Sequence, residues 1–121
     1  AMALYPTLEE IAGVILPGYL ERHLGIRVEE LDRRFVGPEG EEIDVDLYGE
    51  GEQDGQRVVV LGEAKSRIYA REVEVFDRAM HPVAAALKGK VVKLMMGYWI
   101  HPSASRVATE RGILLVASYQ R

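Results

Sequence analysis

Leu8, Ile11, Ile15 and Tyr19 recur at the three-and-four spacing of one helix face, and Leu20 and Leu24 carry that stripe to Gly25. Thr7-Leu8-Glu9-Glu10 fits a capping box, with Thr7 as N-cap and Glu10 reaching back to it. The pattern predicts a helix over 7–24 that bends at Pro17, where an interior proline loses a backbone hydrogen bond and crowds the preceding turn. Three strands follow. Residues 28–36 alternate only moderately, and Gly37-Pro38-Glu39-Gly40 then reads as a turn. Over 43–48, Ile43, Val45 and Leu47 face one side while Asp44, Asp46 and Tyr48 face the other. Residues 49–56 read as a polar loop containing the hairpin signal Asp54-Gly55. Residues 57–65 begin with Val58-Val59-Val60-Leu61, apolar on both faces, which predicts a central strand.

Val73, Phe76, Met80, Val83 and Leu87 line a second helix, with a break expected at His81-Pro82 and an end at Gly89. Residues 91–100 read as a buried strand that, coming after a helix, runs parallel to an earlier one. Tyr98 and Trp99 are accordingly expected in the core rather than on a base-stacking platform. Ser103 is positioned to cap a short helix through Arg111, Gly112 ends it, and 113–117 form a last strand. The order is α-β-β-β-α-β-α-β, an α/β chain without repeat or linker, read as a single domain over 1–121.

Composition narrows the options. A chain of 121 residues, 48% of them apolar, can bury roughly two-thirds of its unfolded surface. A net charge of −4 excludes the strongly basic class that coats nucleic acid non-specifically, while leaving room for a local basic groove. With no cysteine there is neither a disulfide nor a thiolate metal site, which suits a reducing, cytoplasmic setting. His23, His81 and His101 lack metal-ligand spacing, so no zinc site is expected. No run approaches the ~18 apolar residues of a membrane span. The opening Ala1-Met2-Ala3 reads as added residues ahead of a domain cut from a longer protein. The lack of cysteine and asparagine, with 28% charged residues, hints at a thermophile.

If Asp54 and Gly55 form the turn, Asp46 stands opposite Glu63 and Asp44 opposite Lys65, all on one face. A bulge at Gly49 or Gly51 would shift this register by one. Opposed carboxylates repel, and a divalent cation resolves the repulsion. Mg²⁺ is held by one or two carboxylates together with substrate phosphate, and an adjacent lysine can orient the attacking water. The alternative is a solvated face whose Asp44–Lys65 ion pair contributes under about 1 kcal/mol.

An aspartate followed by Glu-x-Lys at the end of an apolar strand, here Asp46-Leu47-Tyr48 and Glu63-Ala64-Lys65, resembles the PD-(D/E)XK nuclease superfamily. That superfamily includes archaeal Holliday junction resolvases and many restriction endonucleases. The strand-helix-strand of 97–116 resembles the closing unit of many members. The resemblance implies a restriction-endonuclease-like αβββαβ core with a mixed sheet flanked by helices. It also implies Mg²⁺-dependent hydrolysis of DNA, branched or structured substrates included, with Mn²⁺ able to substitute and a homodimer expected for double-strand cutting. Asp46 and Glu63 would hold the metal and Lys65 would assist the water, with Asp44 as the alternative to Asp46 and Glu10 or Glu9 as the first-helix acid. Val45 stands where many members carry proline. Arg33, Arg34, Ser66, Arg67 and Arg71 are candidate substrate contacts, with solvated charge as the plainer reading of each arginine. A nuclease fold that only binds DNA or protein, and an unrelated interaction domain, are the competing readings.

Overall fold

The structure, a computed structural model, describes residues 5–37 and 42–119; most of the expected turn at 37–40 lies outside them. Helix α1 (Leu8–Leu24) begins at Thr7, whose side chain accepts from the Glu10 N–H, and ends at Gly25 in the left-handed conformation. It runs through Pro17, and its fully buried positions are Ala12, Leu16 and Leu20.

The expected strand over 28–36 is two strands, β1 (Arg27–Val28) and β2 (Asp32–Val36). They pair in succession with β3 (Ile43–Gln53), which is longer than expected because the predicted polar loop at 49–56 continues as strand. The glycines that suggested a loop serve close approach instead. A Cβ on Gly51 would sit 2.1 Å from the Arg27 carbonyl oxygen, and one on Gly49 would sit 2.7 Å from that of Glu30. Only Asp54 and Gly55, both at positive φ, form the turn into β4 (Gln56–Ile68).

Helix α2 (Ala70–Ala86) continues past His81-Pro82 without the expected break and stops at Leu87, two residues before Gly89. Arg78 and Pro82 are both exposed, so the carbonyl that Pro82 leaves without a donor faces water. Strand β5 (Lys90–Ile100), helix α3 (Pro102–Arg111) and strand β6 (Ile113–Ala117) complete the chain. The α3 cap is His101, whose ring Nδ1 accepts from the Ser103 N–H; Ser103 itself lies inside the helix.

The sheet order is β1-β3-β4-β5-β6, with β2 also on β3. β4 is antiparallel to β3 and parallel to β5, the central position its two apolar faces predict. Val58 and Val60 pack under α1 with Leu16, Leu20 and Leu94. Val59 and Leu61 pack on the opposite face with Val73 and Phe76 of α2 and Ala104 of α3. The result is a helix–sheet–helix sandwich with a mixed sheet. Among the described residues no polar or charged side chain is buried, and no helix is long and apolar enough to cross a membrane.

Candidate active site

Asp46 sits where β3 departs from regular pleating. β2 pairs Asp32 with Tyr48 but Arg34 with Val45, so β3 uses one residue more than its neighbour: a bulge across Asp46 and Leu47. The layers agree. Val45 and Tyr48, three apart, lie in the same hydrophobic cluster, and Leu47 lies in the opposite one. Toward β4 the register runs unslipped from Gln53↔Gln56 to Leu47↔Gly62, where the ladder stops. The next residues on the two strands are Asp46 and Glu63. At this fork the Ala64 N–H donates to the Asp46 carboxylate, so a side chain rather than a backbone carbonyl ends the hydrogen-bond ladder.

Electrostatics tie the acids together. Burial raises the Glu63 pKa, Lys65 opposes the shift, and Asp46, Glu9 and Asp44 push it higher still. Burial likewise raises Asp46, against the Ala64 N–H and the Arg33 and Lys65 charges. Glu9 is raised by burial and by Asp46, with which its carboxyl shares a hydrogen bond. Two acids near enough to share a proton are a pair that a cation would stabilise.

Glu9, not Glu10, is therefore the first-helix acid at the fork. Glu10 is exposed, with its N–H capped by Thr7. The helix phase explains the difference: Glu9 lies seven residues before Leu16, on the face that packs against the sheet. The apolar stripe read from Leu8, Ile11 and Ile15 is rotated from the buried positions by about one residue, which hid this.

Asp44 has a different partner. Arg33 donates to both of its oxygens, from Nε at 2.8 Å and also from Nη2, and this hydrogen bonding lowers the Asp44 pKa. Arg33 is thus engaged with a carboxylate, and Arg34 lies over the Tyr48 ring at 4.6 Å. Lys65, Ser66, Arg67 and Arg71 are exposed. A cleft of about 790 Å³ beside β1 is lined by Arg27, Asp32, Arg34, Tyr48 and Glu50, among others, and by none of Glu9, Asp46, Glu63 or Lys65.

Among the described residues, no three Asp, Glu or His side chains converge closely enough to hold an ion as they stand. Mg²⁺ asks for less: one or two carboxylates, with water and phosphate completing its shell. Two desolvated, mutually repelling carboxylates, Asp46 and Glu63, supply a donor set of hard oxygens that fits such an ion.

No protein-family model and no curated protein matches the sequence. Solved structures do match. A repair endonuclease from Pyrococcus abyssi aligns over 97% of this chain and 49% of its own, with TM-score 0.60 and 18% identity. A protein of unknown function aligns over 95% of this chain and 61% of its own, with TM-score 0.62 and 19% identity. The MspJI restriction endonuclease, solved in complex with a 27-mer oligonucleotide, aligns over 91% of this chain and 25% of its own, with TM-score 0.52 and 19% identity. This chain thus spans about half the length, or less, of the two named nucleases it resembles. The fold is restriction-endonuclease-like.

Proposed function

We propose that this chain is a nuclease domain that hydrolyses DNA phosphodiesters with a divalent cation, Mg²⁺ by preference, held by Asp46 and Glu63. The observation that carries the reading is the fork itself. The β3–β4 ladder ends one step before the two acids, beside a bulge in the β2–β3 pairing, and Glu9 and Lys65 act on Glu63 electrostatically.

A cation bound there supplies positive charge to the phosphate and lowers the pKa of a coordinated water. The chain's own groups do the rest. The Ala64 N–H holds the Asp46 carboxylate in place, leaving it further lone pairs for ligation. Glu63, half-buried, fixes the depth of the site. Glu9 adds a third acid that can accept a proton from the attacking water. Lys65, exposed two residues beyond Glu63, donates hydrogen bonds to that water and offsets charge on the phosphate oxygens. Water adds across one P–O bond, leaving a phosphate monoester and a hydroxyl. Asp44, neutralised by Arg33, braces the β2–β3 edge and takes no part in ligation.

The test is cleavage of labelled duplex, forked and plasmid DNA in Mg²⁺ or Mn²⁺. Asp46→Asn and Glu63→Gln should each lose at least about 10²-fold in rate, the scale of one removed electrostatic contact in a transition state. Asp44→Asn should keep most of it. Wild-type protein that cuts no substrate with either metal, or Glu63→Gln cutting like wild type, would sink the proposal.

A further inference from the structure

Trp99 and Tyr98, expected in the core, are exposed at 48% and 50%, and Tyr69 at 40%. Three rings converge at the end of β4 and β5. Tyr69 and His101 are stacked at 4.9 Å between centroids, and Trp99 meets them edge-wise at 5.5 and 5.7 Å. Among the described residues, neither face of Trp99 is covered by a parallel ring.

From this we infer that Trp99, supported by Tyr69 and His101, is a platform on which an unpaired base stacks, the base belonging to the DNA strand whose phosphate lies at Lys65. The inference rests on the nuclease reading for its placement of that phosphate. The β4–β5 register then sets the distance. Arg67 pairs with Trp99 and Lys65 with Gly97, so the ring stands two residues further along the sheet than the lysine. Two residues of strand span about 6.6 Å, the rise of about two stacked nucleotides. Arg67 and Arg71 are exposed beside the path and supply cations for flanking phosphates.

The platform is held before any ligand arrives. The His101 N–H donates to the Ile68 carbonyl at 2.8 Å, and the Ala70 N–H donates to Ser103 Oγ at 3.2 Å. The Tyr69 N–H donates to Glu72 Oε1 at 2.9 Å. Both outer rings are thus fixed at helix starts that are bonded to each other. His101 Nδ1 accepts from the Ser103 N–H at 3.1 Å, so the neutral ring carries its proton on Nε2, ready to donate. A fully paired duplex keeps its base faces within the stack and offers nothing to a protruding indole. A fork, flap or mismatch does.

Trp99 is the sole tryptophan, so its emission reads the contact directly. The protein is titrated, in Ca²⁺, with forked and fully paired oligonucleotides of one sequence. Affinities of Trp99→Ala and Trp99→Phe are measured by anisotropy. Forked DNA should quench emission and paired DNA should not. Trp99→Ala should weaken fork binding by roughly 5- to 100-fold, the affinity carried by one base–aromatic stack, and Trp99→Phe by less. Unchanged emission at saturation with forked DNA, failure to bind it, or equal losses on both DNAs would overturn the inference. Cleavage in Mg²⁺ is scored separately. Cutting without quenching removes the platform and leaves the nuclease; quenching without cutting does the reverse.

Discussion

Gly51→Ala is the substitution for which the two readings of 49–56 disagree in sign. Were this stretch a polar loop, alanine would restrict the unfolded chain and stabilise the protein by about 0.4–1 kcal/mol. In the structure Gly51 is the strand residue opposite Val58 on one side and Val28 on the other. Its φ is not positive, so the backbone accepts alanine and any cost is steric. The added Cβ would meet the Arg27 carbonyl oxygen at 2.1 Å and the carbonyl carbon at 2.9 Å, and backbone cannot swing aside as a side chain can. Ordinary contact requires β1 to withdraw by more than about 1 Å, which takes a ~2.9 Å hydrogen bond beyond bonding range. β1 is two residues long, so its hold on β3 goes with it. At about 0.5–1.5 kcal/mol for each ladder bond, and with Val28 drawn from the core beneath α1, the loss comes to about 2–4 kcal/mol. The exposed Arg27–Glu52 pair adds little. Urea unfolding followed by Trp99 emission and far-UV circular dichroism measures it, with Tm falling by about 4 °C per kcal/mol. A variant as stable as wild type, or more so, would refute the strand assignment and the argument built on it.

Two further outcomes follow from the same geometry. Glu9→Gln should weaken Mg²⁺ binding measured by calorimetry and slow cleavage by about 10-fold or more, while Glu10→Gln should leave both within about two-fold, since only Glu9 is coupled to Asp46. Asp77 on α2 accepts from Lys93 Nζ at 2.7 Å and Arg111 Nη1 at 2.9 Å. Burial pushes its carboxyl up, but these two bonds outweigh burial and leave its pKa below the ordinary value. Its contribution to stability is therefore present above the unfolded pKa of about 3.9 and is lost as pH falls through the folded value. Asp77→Ala should cost about 2–3 kcal/mol at pH 7 by urea titration, and the difference from wild type should shrink below about pH 4.

Periodicity was most informative where one face of an element is buried and the other is not. The stripe from Val73 to Val83 faces the core as its spacing predicts, and β4, apolar on both faces, is central. The Asp54-Gly55 turn set the β3–β4 register correctly, because two residues at positive φ admit one tight hairpin. The misreadings share a cause: a local signal was serving a distant contact. Gly49 and Gly51 were read as part of a polar loop and as sites for a bulge, yet they admit the backbone of Arg27 and Glu30, which alternation within β3 cannot reveal. The break that turns 28–36 into two strands is the same contact seen from the other side, with Leu31 tucked against Gly49. Tyr98 and Trp99 continue an apolar run, but β5 outlasts the helices covering it, so its last turn of sequence emerges into solvent. At the candidate site, Glu63 and Lys65 were legible from sequence. Glu9 needed the phase of α1, and the partnership of Asp44 with Arg33 needed the fold.

The bulge accounts for how these acids come to stand together at all. Two carboxylates directly opposed in a regular antiparallel ladder would repel across about 5 Å with their strands locked in place. The extra residue at Asp46–Leu47 lies where the β3–β4 ladder ends, with the Asp46 carboxylate accepting from the Ala64 N–H and Glu63 just past the last pair. Burial is the main reason that Glu9, Asp46 and Glu63 all have raised pKa values, and neighbouring carboxylates add to each shift. On the other edge, the Arg33–Asp44 pair links β2 to β3 just below the bulge. An arrangement of partly buried carboxylates that act on one another is stabilised most by a ligand carrying positive charge. That is the physical basis for placing a cation between Asp46 and Glu63, and for expecting the same cation to raise the melting temperature of the wild-type protein but not of Glu63→Gln.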